Sequence, residues 1–320
     1  MTQTIEASGA ATPPRDIDAS KSRPASRRKG AGAGAAAYWE AAPMALVFFL
    51  FFVLPLVVVL VVSFWKYNSY SITPAFIFDN YTGVFDGCLT SLPSLCTTFA
   101  TYLSTFKFCL IVWLVTLVLG FTIAYFLAFH VRTTTMQIVL ALLCIIPFWT
   151  SNVIRMISWI PLLGRNGLIN QILVDAGLVD QPVEWLLYSD FAVTLAFVHL
   201  LTAFMLVPIL NSMMRIDRSL IEAARDAGAS GAQVLWNVVI PLSKTGITIG
   251  SIFVVTLVMG DFITIGVMGG QQIASVGKAI NVQTSYLQFP LAAANAVVLL
   301  LITLGIIFAL TRVIDIRKEL

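Results

Sequence analysis

The sequence predicts an all-α, polytopic membrane protein with six transmembrane helices, and three observations lead there. Hydrophobic residues fill 58% of 320 positions and the mean hydropathy is +0.90, above the about 45 to 50% apolar content of soluble domains. Six apolar stretches, 43–64, 106–129, 136–158, 191–212, 245–265 and 290–311, each come near the roughly 20 residues that cross about 30 Å of hydrocarbon. A polar stretch with a helical pattern, within 213–243, is wedged between the fourth and fifth, in a chain with only 11% charged residues.

Residues 1–38 are rich in Ala, Gly, Ser, Pro and Arg without apolar periodicity; they lack the means to bury a core and are expected to be a disordered cytoplasmic tail. The basic cluster Ser26 to Gly30 reads as a topogenic signal rather than a nucleic-acid contact. The transmembrane domain is assigned to 39–320. Its first span ends at Trp65 and Tyr67, aromatic residues suited to an interface. An outer loop follows to about residue 105, containing Phe78 to Phe85 and the cysteines Cys88 and Cys96, eight residues apart. An oxidising compartment would allow these two to bridge. Cys109 and Cys144 fall inside spans as small core residues.

A short turn at Val131 to Thr135 makes spans two and three antiparallel neighbours. Span three carries Asn152, Arg155 and Trp159 at i, i+3 and i+7, one helical face with polar and aromatic groups. Span four is apolar apart from Thr194, His199, Thr202, Asn211 and Ser212. Span five contains Gly246 and Gly250, a small-xxx-small pair suited to close helix contact. It ends near Asp261, the one acid at membrane depth, where burying a charge costs several kcal/mol and marks a functional candidate. Span six opens at Pro290, a favourable first-turn residue.

The 19 Lys and Arg fix the orientation. With the N-terminus inside, all but Lys66, Lys107, Arg155, Arg165 and Lys278 fall on the inner side. Both termini and the polar wedge are then cytoplasmic.

Within the wedge, Ile216, Leu220, Ala223, Ala224 and Ala227 form a small apolar stripe on a helix otherwise charged. Gly228 supplies a left-handed helix stop. Ser230 and Gln233 have the spacing of a capping box that starts a second helix. The pattern Glu222-Ala223-Ala224, three residues, Gly228, nine residues, then Val238-x-Ile240-Pro241 resembles the coupling loop of ATP-binding-cassette importer permeases. Val238 and Ile240 depart from that motif's Ile and Leu but keep apolar bulk.

Asn80-Tyr81 before Phe85 weakly resembles a segment of the same permease class, and two other stretches resemble its polyamine branch: Pro147 to Ser151 leading to Arg155, Trp159 and Leu163 through Asn170, and the Gly260-Asp261-Phe262 segment before Gly269-Gly270. The resemblance covers roughly residues 43–315. It implies a permease subunit of a spermidine/putrescine-type importer in the bacterial inner membrane, with Glu222, Ala223, Ala224, Gly228 and Pro241 as the ATPase-coupling residues of a cytoplasmic coupling helix. Trp149, Asn152, Arg155, Trp159 and Asp261 become candidates for the substrate pathway. A Trp ring face could receive an ammonium group. An interfacial belt of Trp with a snorkelling Arg accounts for the span-three residues equally well, and Asp261 could instead be structural, paired for instance with Arg155.

The partners the resemblance implies are two ATPase subunits, one contacted by the coupling helix, a second permease subunit as a homologous heterodimer partner, and a periplasmic binding protein. The lipid bilayer is the surrounding medium. Opines, quaternary amines or amino-acid-like solutes are alternative substrates.

The nearest string to a nucleotide-binding loop, Gln271 to Ala279, lacks the first Gly and the final Ser or Thr. ATP and Mg²⁺ therefore belong to a partner ATPase, and this chain is expected to bind no cofactor and no metal. A hydrolase would have to draw its nucleophile and base from scattered Ser, His199 and Asp261, which no spacing supports. An ion-coupled carrier, the other rival, calls for more intramembrane ionisable groups and an inverted repeat.

Overall fold

The computed structural model describes residues 41–68, 71–85 and 96–313. The expected tail 1–38, Cys88 and the C-terminal residues from 314 lie outside the described residues. The chain divides into two units, one ending at Leu54 and one beginning at Pro55. Helix α1, Ala41–Val62, runs across that division. In the first unit it is apolar on all sides, and Phe49–Val53 form a π-turn closed by Leu54 N–H bonding Phe49 O. Pro55 follows at once, so the turn widens where the proline would otherwise clash with its own helix.

In the second unit, a hairpin of β1 (Lys66–Asn68) and β2 (Ser71–Thr73), with Lys66 opposite Thr73, leads to α2 (Asp79–Val84). The long helix α3 runs Thr97–His130, and α4 runs Thr134–Trp149. Two shorter helices follow, α5 (Asn152–Leu163) and α6 (Leu168–Asp175). Next come α7 (Asp190–Met213) and α8 (Arg218–Asp226). Helix α9 (Gly231–Leu242) leads into α10 (Lys244–Gly260). The chain continues through α11 (Ile263–Met268) and α12 (Val276–Ser285) to α13 (Phe289–Val313).

Among the described residues four unbroken helices are long and apolar enough to cross a membrane, and counting each of two bent helix pairs as one span makes six. The all-α polytopic architecture is thus the one expected. Two expected details differ. Span two begins nine residues earlier, at Thr97, because Cys96 caps it with its sulfur 3.4 Å from the Phe99 N–H. Span three is not one helix: α4 and α5 meet at 90° across Thr150 and Ser151. Spans two and three touch chiefly at the turn that joins them: α4 packs on the last turn of α3, where Gln137 donates to the carbonyls of Leu127 and Val131.

The core is a three-helix seam of α3, α7 and α10. Gly120 on α3 and Gly250 on α10 both face Met205 of α7, and an added Cβ would meet it at 3.0 and 2.8 Å. Gly246 lies against the Pro208 carbonyl, so the expected small-xxx-small pair does bring two helices together. Trp113 crosses the seam to Ser251 at 2.8 Å, and Thr105 accepts the Val276 N–H at 3.0 Å, tying α12 to α3.

Candidate functional site: a broken span and a capped polar segment

The 90° break between α4 and α5 exposes carbonyls that an unbroken helix would satisfy, and in lipid each unpaired one is costly. Arg155 takes them. Its Nη2 donates to Phe148 O at 3.4 Å, Thr150 O at 3.0 Å and the Asn152 side-chain oxygen at 2.7 Å. The residue is only 8% exposed, and its Nε is buried without an acceptor. Asn152 is used up in the same clamp. One turn on, the Trp159 indole donates to His199 Nδ1 of α7 at 3.1 Å, the rings meeting edge to face at 5.6 Å. Trp149, at the apex of the break, is 83% exposed with its ring free.

Asp261 does not pair with Arg155. Its carboxylate instead accepts the Thr264 N–H at 2.7 Å and the Thr264 hydroxyl at 3.0 Å. The acid closes the break between α10 and α11, and Gly277 of α12 comes close enough that a Cβ there would lie 2.9 Å from Asp261 O. Helix α11 in turn packs on α5. The structure therefore joins Asn152 to Arg155, ties Trp159 to α7, and leaves Asp261 in a separate knot. Reasoning from sequence overlooked His199 as the partner of Trp159, because a lone histidine on an apolar helix carries no local signal. It also overlooked Asn170, inside the quoted Leu163 to Asn170 motif. Asn170 is 1% exposed and locks the loop after α6 by bonding Gly164 O and both the N–H and carbonyl of Val183.

The polar segment is built from caps. Asp217 caps α8 by accepting the Ser219 N–H at 3.0 Å, which holds its carboxyl below the usual range. At the other end Gly228, with φ of 86°, completes a Schellman motif. Its N–H bonds Arg225 O at 2.9 Å, and Ala229 N–H reaches back to Ala224 O at 3.0 Å. Ser230 and Gln233 then form the full reciprocal capping box at the start of α9. No residue of α8 is fully buried: Ile216, Ile221 and Ala224 pack inward, whereas Leu220, Glu222, Ala223 and Ala227 stay exposed. The expected stripe is thus divided, with part of it left uncovered. A further π-turn, Leu235–Val239, is closed by Ile240 N–H to Leu235 O just before Pro241, and α9 meets α10 at 67°.

Comparison with known proteins defines the class. No family model matches the chain. The fold is shared with the crystal structure of a bacterial alginate transporter of the ATP-binding-cassette type in complex with an alginate-pentasaccharide-bound periplasmic protein. The likeness covers 88% of this chain and 94% of that one at a TM-score of 0.66 and 16% identity. That likeness shows the fold; curated relatives aligned over 79% of the chain show the class, a permease of an ATP-binding-cassette system, a transport component and not an enzyme. More narrowly, it belongs to the spermidine/putrescine transport permease family. It is 32% identical over 255 residues, 79% of this chain and 88% of the relative, to the spermidine/putrescine transport system permease protein PotB of Escherichia coli (strain K12). It is also 35% identical over 142 residues, 44% of this chain and 49% of the relative, to PotB of Haemophilus influenzae. The inner membrane ABC transporter permease protein YdcU of Escherichia coli is more distant, 28% identical over 202 residues, 60% of this chain and 64% of the relative.

Proposed function

We propose that this chain lines one half of the path of an ATP-driven importer of small organic cations, most directly polyamines, in a bacterial inner membrane. The observation that carries the substrate reading is the 32% identity to a spermidine/putrescine permease along 88% of its length. The bias of Lys and Arg puts both termini and the segment 213–243 in the cytoplasm. There α8 is the coupling helix. Glu222, Ala223 and the exposed Leu220 offer an unburied face to one of two ATPase subunits, which bind ATP and Mg²⁺ while this chain binds no cofactor. Closure of the ATPases moves α8. Because Gly228 and the Ser230–Gln233 box fix α8 relative to α9, the displacement passes through Pro241 into α10 instead of being lost in a slack loop.

A second, homologous permease completes the path, and a periplasmic binding protein delivers the solute. Trp149 is the residue of this chain that meets the cation, offering its ring face. Asn152, Arg155, Trp159 and Asp261 shape the path wall without touching the cargo, since Arg155 Nη2, the Asn152 side-chain oxygen, the Trp159 indole and the Asp261 carboxylate are already bonded within the chain. On the periplasmic side, Cys88 and Cys96 form a disulfide that closes the loop before α3.

The test is uptake of labelled putrescine or spermidine by proteoliposomes holding the whole transporter, its binding protein and internal ATP. Uptake that requires all three and falls in Trp149→Ala supports the reading. Uptake competed by a quaternary amine and by neither polyamine would overturn the substrate and leave the class intact.

A further inference from the structure

Helices α8 and α9 adjoin one another and differ in chemistry. Helix α8 carries Arg218, Glu222, Arg225 and Asp226. Helix α9, Gly231–Leu242, carries no Asp, Glu, Lys or Arg. One side of α9 is occupied: Val234 and Val239 are buried, and Leu235 and Val238 pack on the core. The other side is open, with Gln233, Trp236 and Asn237 exposed at i, i+3 and i+4. Trp236 is 68% exposed, and Leu242, at the end of the same helix, is exposed as well. A helix that stands in water presents charge on its outer face. An indole flanked by neutral amides matches the headgroup layer of a bilayer instead, where Trp is enriched because its body is apolar and its N–H polar.

The placement of α9 agrees with its composition. Helix α10 has 17 residues and rises about 25 Å at about 1.5 Å per residue, short of the about 30 Å of hydrocarbon. Helix α9 meets it at 67°, and only together are the two long enough to count as a span. At that angle each residue of α9 adds only about 0.6 Å along the axis of α10. With Gly260 at the outer boundary, Trp236 comes about 30 Å below it, at the inner edge of the hydrocarbon, and Gly231 about 3 Å lower, among the headgroups. The bend itself is held by Ser243, 0% exposed, whose Oγ donates to Val239 O at 2.5 Å. Helix α9 therefore runs along the inner membrane surface with its uncovered side turned away from the protein core.

We propose that α9 is an interfacial helix anchored by Trp236, which inserts among the lipids of the inner leaflet. Its ring lies against the first acyl carbons, and its Nε1–H donates to a lipid ester or phosphate oxygen. The occupant of this face is lipid because the face is continuous with the span that α9 completes, and because it offers no ion-pair partner to a protein surface. The indole needs only a neutral acceptor, so no particular headgroup charge is selected. On the coupling reading given above, an anchored α9 converts a displacement of α8 into a change of angle at the Ser243 bend. The anchor itself requires only the bilayer.

The test places a photo-reactive benzoylphenylalanine at position 237, beside Trp236, in the intact transporter held in nanodiscs of phosphatidylethanolamine and phosphatidylglycerol. Irradiation should attach lipid to this chain, read as a mass increase of one phospholipid. Trp236→Glu, which sets a charge at an exposed position, should abolish that adduct; Trp236→Gln should reduce it, and Trp236→Tyr should keep it. The same probe at Leu220 of α8 should give no lipid adduct. Lipid capture at position 237 that persists in both Trp236→Glu and Trp236→Gln would overturn the anchor. So would equal lipid capture at positions 237 and 220, or no adduct at position 237, which would put α9 in water. Capture of an ATPase or of a second permease at position 237 would assign the face to a protein and overturn it too. Uptake is not the readout, so failure here leaves the coupling and polyamine readings standing.

Discussion

The helix break at Trp149 to Asn152 and the polar segment from Asp217 to Pro241 solve one problem in opposite ways. Each leaves helix ends whose backbone groups need partners. In the polar segment those partners are neighbours in sequence: Asp217 for Ser219, Gly228 for Arg225, Ser230 and Gln233 for each other. Every device spans five residues or fewer. At the break the stray carbonyls are gathered by a guanidinium that folds back from the next helix, reaching from Arg155 to Phe148. A joint made of short-range caps sits in water and can shift as a unit. One held by a buried charge has a single shape, since opening it strands both the charge and the carbonyls.

The largest effect should therefore follow Arg155→Met. It removes donors from Phe148 O, Thr150 O and the Asn152 side chain while keeping the apolar stem. Charge-assisted bonds contribute roughly 1.5 to 3 kcal/mol each, so a loss of about 3 kcal/mol is expected, measured as a fall in the thermal midpoint of the detergent-solubilised transporter. Arg155→Lys should recover little, because an ammonium on a flexible stem lacks the planar fork. A midpoint unchanged in both variants would mean the break is set by Pro147 and its neighbours alone.

Next comes Gly228→Val. A Cβ there meets nothing within 4 Å, so packing is not the issue. The cost is the backbone, since a φ of 86° is foreign to a β-branched residue; about 1 to 2 kcal/mol of strain is expected. Under the proposed coupling, ATP-driven uptake should fall at least as far as an order of magnitude, about 1.4 kcal/mol or more of lost coupling, with membrane insertion unchanged. Gly228→Ala should be milder. Normal uptake in Gly228→Val would remove the lever from the mechanism.

What could be read from sequence follows the same division. The Gly228 stop, the Ser230–Gln233 box and the Gly246 and Gly250 contact were legible because each is a short pattern with one physical meaning. The break in span three was not, although its signs were present: Pro147, then Thr150 and Ser151 just ahead of a new amphipathic run. An apolar window counts Phe148 and Trp149 toward a continuous span whatever their backbone does. Asp261 was singled out for its charge, and its role as an acceptor for Thr264 depends on a turn that hydropathy does not register. Asn80 and Asn170 make the same point. They lie in motifs recognised by resemblance, yet one works by donating to Ser63 O and Trp65 O, the other by locking Val183. Several of the motif residues here capture backbone, and that role becomes visible only when the distant carbonyl is in place.

A smaller effect is expected from Ser230→Ala, which removes the side-chain acceptor for the Gln233 N–H and half of the box. The cap is exposed, so the loss should be about 1 kcal/mol, read as faster amide exchange in the first turn of α9 with the α4–α5 break unaffected. Exchange that spreads to α5 would show that the two joints are coupled and that the contrast between them is too sharply drawn.

The smallest effect concerns acid. Hydrogen bonds from the Ser219 backbone N–H and side chain hold the Asp217 carboxyl below its ordinary value, with a slight opposing push from desolvation. Because the folded form binds its proton less readily than the unfolded form, the stabilisation is fully present above the unfolded value, about 3.9, and fades as pH falls through that value toward the folded one. The first turn of α8 should accordingly open as the medium is acidified below about pH 4. Arg155 stays protonated throughout that range, so the helix break should not respond. Hydrogen exchange at Ser219 and Leu220, corrected for intrinsic rates, measures the difference. In Asp217→Asn the amide side chain still caps but does not titrate there, and the profile should be flat. A wild-type profile equally flat would mean that water replaces the cap without cost and that the N-terminus of α8 is held from its Ile221 and Ala224 side, where it packs on the core.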